Sequence, residues 1–139
     1  MISLVDASAM VDLLVRSDAG ERVRRRLRAD ADAMLVTVAH LDAEVLSALA
    51  RLHRAGELTA VEVEELLRRI STMDLRRLPI SAPLQHAAWQ LRANIAARDA
   101  LYVAAAQGLR CSLLTTDERL TRAVPELAVD LGDEGPLDG

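Results

Sequence analysis

Short apolar runs that are rich in β-favouring residues alternate with longer stretches of helical periodicity along the whole chain. The runs predict strands over residues 2–5, 34–38, 75–80, 111–116 and 127–131. Parallel strands joined by helices require right-handed crossovers, which place helices on both faces of the sheet. The sequence therefore predicts an α/β fold, a three-layer α/β/α sandwich with a central parallel sheet of about five strands.

Several helix ends carry clear signals. Gly56 is expected to close the helix that follows the second strand as a C-terminal cap. Thr59 and Glu62 fit a capping box at the head of the next helix, and Pro83 stands where a helix start tolerates proline.

The second half of the chain is predicted to hold two further helices before the fourth strand. The first is expected to pass Trp89 and Leu91 and to run to about residue 97, and the second covers residues 99–109. No repeat or linker is visible, so we expect a single domain over residues 1–139, with a polar, frayed tail at about 132–139.

The composition excludes several classes of protein. The 139 residues are 51% hydrophobic, enough for one full core, and the one cysteine, Cys111, is interpreted as a small buried residue rather than part of a disulfide or zinc site. A net charge of −4 and an aromatic fraction of 1% argue against a basic nucleic-acid coat or an aromatic base-stacking platform. No secretory leader or membrane-spanning run is visible, which predicts a cytoplasmic protein without membrane association.

Acidic side chains follow the first and fourth predicted strands. Asp6 comes directly after residues 2–5, and Asp117 comes directly after residues 111–116. Ligand sites of open parallel sheets lie beyond the carboxyl ends of the strands, so these two acids are neighbours if their strands are. Asp6, Asp99 and Asp117 also precede predicted helices, where aspartate caps free N–H groups, and capping is the alternative for each.

Two further acids stand in less obvious positions. Asp99 opens a helix that is apolar on nearly every side, which is typical of a buried helix whose mouth faces a cleft or a partner. Glu44 lies mid-helix at the border of an apolar stripe, and Asp42 borders the same stripe on its other side. Spacing alone leaves open whether Glu44, Asp42 or neither faces a site.

Convergence of several such acids would create a demand for a cation. Two unit charges ~4 Å apart repel by roughly 4 kcal/mol at an effective dielectric constant of about 20. Carboxylates without histidine or thiolate favour Mg²⁺ or Mn²⁺, ions that activate water and stabilise charge on a phosphoryl group. A cluster of this kind is typical of phosphodiester hydrolysis.

Four segments carry a family resemblance. They are LVDASAMVDLL, HLDAEVLSALARL, RDALYVAAAQGL and CSLLTTDERL, in this order along the chain. In them the chain resembles the PIN-domain ribonucleases, and among these the toxins of VapBC toxin–antitoxin pairs. The resemblance spans essentially the whole chain, and it implies a metal-dependent endoribonuclease.

The resemblance also assigns residues. It places the acids of the family on Asp6, Glu44, Asp99 and Asp117, and so favours Glu44 over Asp42. The first three would hold the principal Mg²⁺ or Mn²⁺ ion, and the fourth would bind a second ion or a metal-bound water.

Other properties follow from the same resemblance. Hydroxyl positions that line the site of the family fall on Ser8 and Thr115. The resemblance further implies an RNA substrate, a small cognate antitoxin that directs basic residues towards the acids, and a homodimer.

Two other functions stay open at this point. One is a housekeeping PIN nuclease for RNA maturation, and the other is a non-catalytic module that binds an antitoxin-like partner. Phosphoacceptor receiver domains and haloacid-dehalogenase-type phosphotransferases need a lysine beside the phosphoryl group, and all 17 basic residues of this chain are arginine. Neither a G-x-G-x-x-G motif nor a P-loop is present.

Some other polar and aromatic residues are given structural roles. The arginine-rich run Arg22–Arg28 is interpreted as a solvated helix face, with RNA or antitoxin contact as the alternative. Surface or boundary roles are predicted for the three histidines, His40, His53 and His86. Core positions are predicted for Trp89, Leu91 and Ile95, and core packing is also predicted for Tyr102, with a place at the border of the cleft as the alternative.

Overall fold

The structure is a computed structural model in which residues 1–132 are described; residues 133–139, which hold most of the predicted frayed tail, lie outside them. The described residues contain strands and helices in the order β1 Ile2–Val5, α1 Ala7–Val15, α2 Asp18–Ala29, β2 Met34–Val38, α3 Leu41–Arg54, α4 Ala60–Thr72, β3 Arg76–Leu78, α5 Ala82–Trp89, α6 Ala97–Leu109, β4 Ser112–Leu114 and α7 Glu118–Ala123.

The strands form one parallel sheet in the order β3-β2-β1-β4. Leu4 at the middle of β1 lies opposite Val36 of β2 on one side and Leu113 of β4 on the other. All three side chains are buried because helices cover both faces of the sheet. The apolar runs predicted at residues 2–5 and 34–38 are therefore strands of the buried sheet, whereas the edge strand β3 is Arg76–Leu78 and is partly exposed.

The direction of each crossover decides which face its helices cover. The chain steps from β1 to β2 to β3 in one direction, so right-handed connections place α1–α4 on one face. The step from β3 back to β4 runs the other way, and it places α5 and α6 on the opposite face, where α6 packs on β1, β2 and β4. The three-layer α/β/α architecture is thereby confirmed.

The sheet has four strands within the described residues rather than about five. The predicted strand at 127–131 reduces to one bridge between Leu113 and Ala128. A turn at residues 125–127 precedes the bridge, and the Asp130 carboxylate accepts a hydrogen bond from the Gly132 N–H at 2.9 Å just after it. These two turns limit the pairing because they bend the backbone away from β4.

The prediction that one helix passes Trp89 and runs to about residue 97 is wrong, because the helix ends earlier. α5 ends at Trp89, where Leu91 and Arg92 make tight three-residue backbone hydrogen bonds to Ala88 and Trp89 that close the last turn. Trp89 was predicted to be buried, but it is 61% exposed, with the Arg92 guanidinium 4.7 Å from its ring. The inward positions belong instead to Ala88 and to the predicted core residues Leu91 and Ile95.

Other predicted helix ends are present. Thr59 and Glu62 form the reciprocal capping box of α4, and Pro83 lies in the first turn of α5. Gly56 follows the last residues of α3 with φ of 77°, the left-handed conformation expected of a glycine at a helix C-terminus.

The packing of α1 on α2 depends on Gly20, which is buried where the two helices meet. A methyl group at this position would overlap the backbone carbonyl of Asp12 in α1, and a backbone group has little room to yield. By contrast, a methyl group at Gly108 near the end of α6 would meet open space.

We expect Gly20→Ala to lower the free energy of unfolding by more than about 2 kcal/mol, because overpacking against backbone forces the two helices apart. Gly108→Ala is the matched control and should raise it by up to about 1 kcal/mol through helix propensity. Urea denaturation of both variants measures the two effects. Equal stabilities would contradict the described α1–α2 contact.

Candidate active site

The order of the strands creates a crevice at one edge of the sheet. The chain moves from β1 to β2 in one direction and reaches β4 from the other, so the connections diverge between β1 and β4. Such a switch point at the carboxyl ends of parallel strands is where open α/β sheets bind ligands. Asp6 is the first residue beyond β1, and its N–H donates to the Leu114 carbonyl of β4 at 3.1 Å.

A cleft of about 250 Å³ opens at this point, and four predicted acids lie along it. Its lining consists of acids, arginines, and small or hydroxylated side chains: Asp6, Ala7, Ser8, Val11, Glu44, Ser47, Ala48, Arg51, Arg98, Asp99, Tyr102 and Asp117. The structure thus brings together residues that are 111 positions apart in the chain, from Asp6 to Asp117.

Asp6 is held rigidly at the floor of the cleft. Its side chain is 3% exposed, and its Oδ1 accepts hydrogen bonds from Ser8 Oγ at 2.7 Å and from the Ala9 N–H at 2.9 Å. The pKa of Asp6 is raised to about 6, chiefly because of burial and to a smaller extent because of the Asp99 charge, while the Ala9 N–H and nearby hydroxyls oppose the rise. Asp6 is therefore both the N-cap of α1 and a carboxylate facing a cleft.

Asp117 also combines two roles. It lies three residues beyond β4, not directly after it as predicted, because the strand ends at Leu114. Its Oδ1 caps α7 by accepting hydrogen bonds from the N–H groups of Arg119 at 2.9 Å and Leu120 at 3.3 Å. Its other carboxylate oxygen accepts no hydrogen bond within residues 1–132.

The two predicted hydroxyl residues occupy different positions. Ser8 borders the cleft, whereas Thr115 is buried behind it, with its hydroxyl 3.1 Å from Ser8 Oγ. Thr115 Oγ1 accepts from the Asp117 N–H, and Ser8 Oγ accepts from the Thr116 N–H, each at 3.1 Å. The pair therefore ties the segment after β4 to the start of α1.

A fifth acid strengthens this connection from outside the cleft. Asp12 of α1 accepts hydrogen bonds from Thr116 Oγ1 at 2.6 Å and from Ser17 Oγ at 2.8 Å. Both of its carboxylate oxygens are thereby used within the protein, so Asp12 joins α1 to the residues that precede Asp117.

Glu44 and Asp42 differ sharply in their surroundings, which spacing alone could not tell. The Asp42 carboxylate pairs with both Arg77 Nε at 2.6 Å and Arg77 Nη2 at 3.0 Å on the outer surface. Glu44 lies in the cleft, where its Oε1 accepts a hydrogen bond from Tyr102 Oη at 2.7 Å.

Asp99 lies inside the first turn of α6 and is not its N-cap. The helix begins two residues earlier than predicted, at Ala97, and the N-cap is Ala96. Asp99 accepts no side-chain hydrogen bond within the described part of the chain. Burial raises its pKa, as do the charges of Asp117 and Glu44, and Arg98 and His40 act against them.

Part of each pKa shift comes from the charge of another acid: Asp99 raises the pKa of Asp6, and Asp117 and Glu44 raise the pKa of Asp99. They do not yet form a finished ion site: in residues 1–132, no three His, Cys, Asp or Glu side chains are grouped so as to hold a metal ion. The cleft concentrates negative charge that is only partly offset, by hydrogen bonds to the carboxylates and by the arginines Arg51 and Arg98 of its lining.

Four residues around the acids were not predicted as site residues. Arg51 and Arg98 line the cleft, and Tyr102 and His40 contact Glu44. The spacing from His40 to Glu44, one helical turn, and the position of Arg51 two turns further along α3 were visible in the sequence. Tyr102 is 1% exposed and packs in the core beside the cleft, as expected.

Comparison with known proteins agrees with this geometry. The PIN domain family profile matches residues 3–124. Ribonuclease VapC3 of Mycobacterium tuberculosis (strain ATCC 25618 / H37Rv) is 48% identical over 123 residues, which cover 88% of this chain and 87% of that protein.

Solved structures share the fold at low sequence identity. A toxin–antitoxin complex from Klebsiella pneumoniae contains a chain with a TM-score of 0.70 at 18% identity, covering 95% of this chain and 99% of that chain. VapBC2 from Rickettsia felis, bound to a DNA fragment from its promoter, gives a TM-score of 0.70 at 15% identity, covering 94% and 98%.

The chain belongs to the PIN domain family. Within that family, its similarity to VapC3 over most of both chains places it among the VapC-type members. The predicted resemblance is thus confirmed. None of the helices within residues 1–132 has the length and apolar character needed to cross a membrane.

The raised pKa of Asp6 predicts how stability depends on pH in the absence of metal. Because the folded-state pKa lies above the value of 3.8 for the unfolded chain, the free energy of unfolding should fall as pH rises from about 4 to about 6, by up to about 3 kcal/mol. Asp6→Asn should remove this contribution, so the variant should melt higher than the wild type at pH 7.5 and lose that advantage at pH 4. Thermal melts in EDTA measure both.

Asp42→Asn is the matched control for this experiment. Asp42 is exposed and paired with Arg77, so the substitution should lower stability slightly at pH 7.5. A melting temperature of Asp6→Asn below that of the wild type at both pH values would contradict the strained environment described for Asp6.

Proposed function

We propose that this VapC-type PIN protein is a metal-dependent endoribonuclease, the toxin of a toxin–antitoxin pair, and that Asp6, Glu44, Asp99 and Asp117 hold a Mg²⁺ or Mn²⁺ ion against the RNA phosphate. The observation that carries the proposal is the meeting of these acids in one cleft at the switch point of the sheet. The relative that is 48% identical is named a ribonuclease.

The chemistry of the donor set fits a hard divalent cation. The donors in the cleft are carboxylate oxygens, and Asp99 uses neither of its own on a protein donor within the described residues. Burial and mutual repulsion raise the pKa values of Asp6 and Asp99, and a bound cation would relieve both effects. Because the acids are not yet grouped around one point, binding would require them to shift or to bind through water.

The acids of the cleft have different proposed roles in holding the ion and the attacking water. When bound, a divalent ion lowers the pKa of water and stabilises the negative charge that develops on a phosphoryl group. Asp6, fixed by Ser8 and Ala9, keeps one carboxylate oxygen in place at the floor of the cleft. Asp117 keeps the oxygen that does not cap α7 for the ion or for an attacking water.

Arginines at the rim supply the attraction that a polyanion needs to enter an acidic cleft. Arg51 lies on the same face of α3 as Glu44, and its Nη1 donates to Ser47 Oγ at 3.2 Å. Arg98 is 79% exposed beside Asp99 and only 3.8 Å from Glu44 Oε2, a weak contact that an RNA phosphate can replace.

The partner follows from the class. As a VapC-type toxin the chain has a cognate antitoxin, and structural neighbours of the same fold come from toxin–antitoxin complexes. A homodimer and a cytoplasmic location stay predictions. A housekeeping nuclease is the second candidate, and a small open reading frame beside the gene would distinguish the toxin. A purely non-catalytic module leaves the four buried or half-buried acids without a purpose.

We expect the purified protein to cleave RNA with Mg²⁺ or Mn²⁺ to leave a 5′-phosphate, and to lose activity in EDTA. Asp99→Asn should lower the rate by at least about 100-fold, because it removes a carboxylate that would hold the divalent ion stabilising charge on the phosphoryl group. RNA end-sequencing and single-turnover gels measure product and rate. Asp42→Asn, a substitution outside the cleft, should cleave normally. Equal cleavage in EDTA would refute the proposed mechanism.

Arg51→Ala should weaken RNA binding without affecting metal binding. Loss of one phosphate contact makes the plot of log affinity against log salt less steep by about 0.7 for a single strand. The measurement is fluorescence anisotropy with a labelled RNA on an Asp99→Asn background. Arg54→Ala, an exposed arginine of the same helix outside the cleft, is the control. Identical salt slopes for both variants would exclude Arg51 from phosphate binding.

A further inference from the structure

Glu44 is the acid of the cleft with the most elaborate support. Its Oε1 accepts a hydrogen bond from Tyr102 Oη at 2.7 Å, and His40 Nε2 lies 3.3 Å from the same oxygen. Tyr102 comes from α6 and donates the hydrogen bond, whereas His40 precedes α3 and contributes a close contact, so the two side chains approach from different elements. Oε1 is thereby occupied by the protein, and Oε2 faces the cleft with only the long contact to the exposed Arg98 at 3.8 Å.

The tautomer of His40 follows from its neighbours. Its Nε2 lies 2.9 Å from the Arg98 carbonyl and 3.3 Å from Glu44 Oε1, and since both are acceptors, Nε2 must carry the hydrogen. That hydrogen is donated to the Arg98 carbonyl, and the N–H therefore also presents its positive end to Glu44 Oε1 at 3.3 Å.

The ring of His40 is held in this orientation at a cost. It stacks on the Tyr102 ring with 4.3 Å between centroids, and its Nδ1 is buried without a hydrogen-bond partner in the described residues. An unpaired buried polar atom lowers the stability of the folded state. An apolar ring would fill the same space without that cost, but it would lose both the hydrogen bond to the Arg98 carbonyl and the contact with Glu44.

We propose that Tyr102 and His40 are positioning residues that orient the Glu44 carboxylate for binding of the divalent ion. The inference rests on the proposed function, since it assigns Glu44 to the ion. Groups that hydrogen-bond a metal ligand fix its direction, and their removal commonly lowers metal affinity by about 10–100-fold. Tyr102 and His40 touch neither the RNA nor the ion in this assignment and act through Glu44.

Tyr102→Phe is the sharpest test because it keeps the buried ring and its stacking and removes only the hydroxyl. We expect Mn²⁺ binding, measured by electron paramagnetic resonance of the free ion, to weaken by at least about 10-fold. The Mn²⁺ concentration for half-maximal cleavage should rise in parallel, while the rate at saturating Mn²⁺ should return close to that of the wild type. A purely structural role would lower the melting temperature in EDTA without moving the metal affinity.

His40 supplies a second, independent pair of variants. His40→Phe keeps an aromatic ring against Tyr102 but lacks the N–H, and it should weaken Mn²⁺ binding, whereas His40→Gln keeps a donor and should restore part of the affinity. His53→Phe is the matched control: this histidine is exposed at the far end of α3 and hydrogen-bonds the Leu58 carbonyl at 2.9 Å. It should bind Mn²⁺ like the wild type.

The outcomes separate this inference from the proposed function. If the wild type binds no Mn²⁺, both are overturned. If the wild type binds Mn²⁺ and cleaves RNA but Tyr102→Phe and His40→Phe bind it equally well, the positioning role is overturned and the proposed function stands. Should Tyr102→Phe fail to fold, the comparison of His40→Phe with His40→Gln and His53→Phe decides the question.

Discussion

The repulsion among carboxylates at one edge of the sheet is the interaction on which the rest of the site depends. Asp6, Glu44, Asp99 and Asp117 reach the same cleft because β1 lies between β2 and β4, where the chain connections diverge. Burial of Asp6 and the charges around Asp99 raise their pKa values, so the folded state without a cation is under electrostatic strain. Hydroxyl and backbone donors offset part of that strain without removing it.

The fold was largely predictable because its strands are short apolar runs and its helices have strong periodicity. The strands at residues 2–5 and 34–38 appear as predicted, since continuous apolar runs indicate strands buried on both faces. The end of α5 was missed because the residues after Trp89 continue a helical pattern, and only tight backbone hydrogen bonds end it. The exposure of Trp89 was missed because a large aromatic residue is more often found inside.

The candidate site was predictable in its acids but not in their support. Acids directly after strands or at helix starts leave a signal in the chain, and family resemblance separated Glu44 from Asp42. The sequence does not indicate that Tyr102 and His40 contact Glu44, because these contacts depend on how α6 crosses the beginning of α3. Thr115 was expected to line the cleft, but it lies behind Ser8 and contacts the Ser8 hydroxyl. The sequence around Thr115 does not indicate which of the two hydroxyls is nearer the cleft.

The hydrogen bonds around the cleft connect the elements that carry its acids in two pairs. Hydrogen bonds join α1 to the segment after β4 through Ser8, Thr115, Thr116 and Asp12. Asp6 and Asp117 therefore lie on elements that are connected to each other. Hydrogen bonds of His40 and Tyr102 join the start of α3 to α6. Glu44 and Asp99 therefore lie on a second pair of connected elements. A substitution that breaks one of these sets of hydrogen bonds would therefore displace two acids together and leave the other two in place.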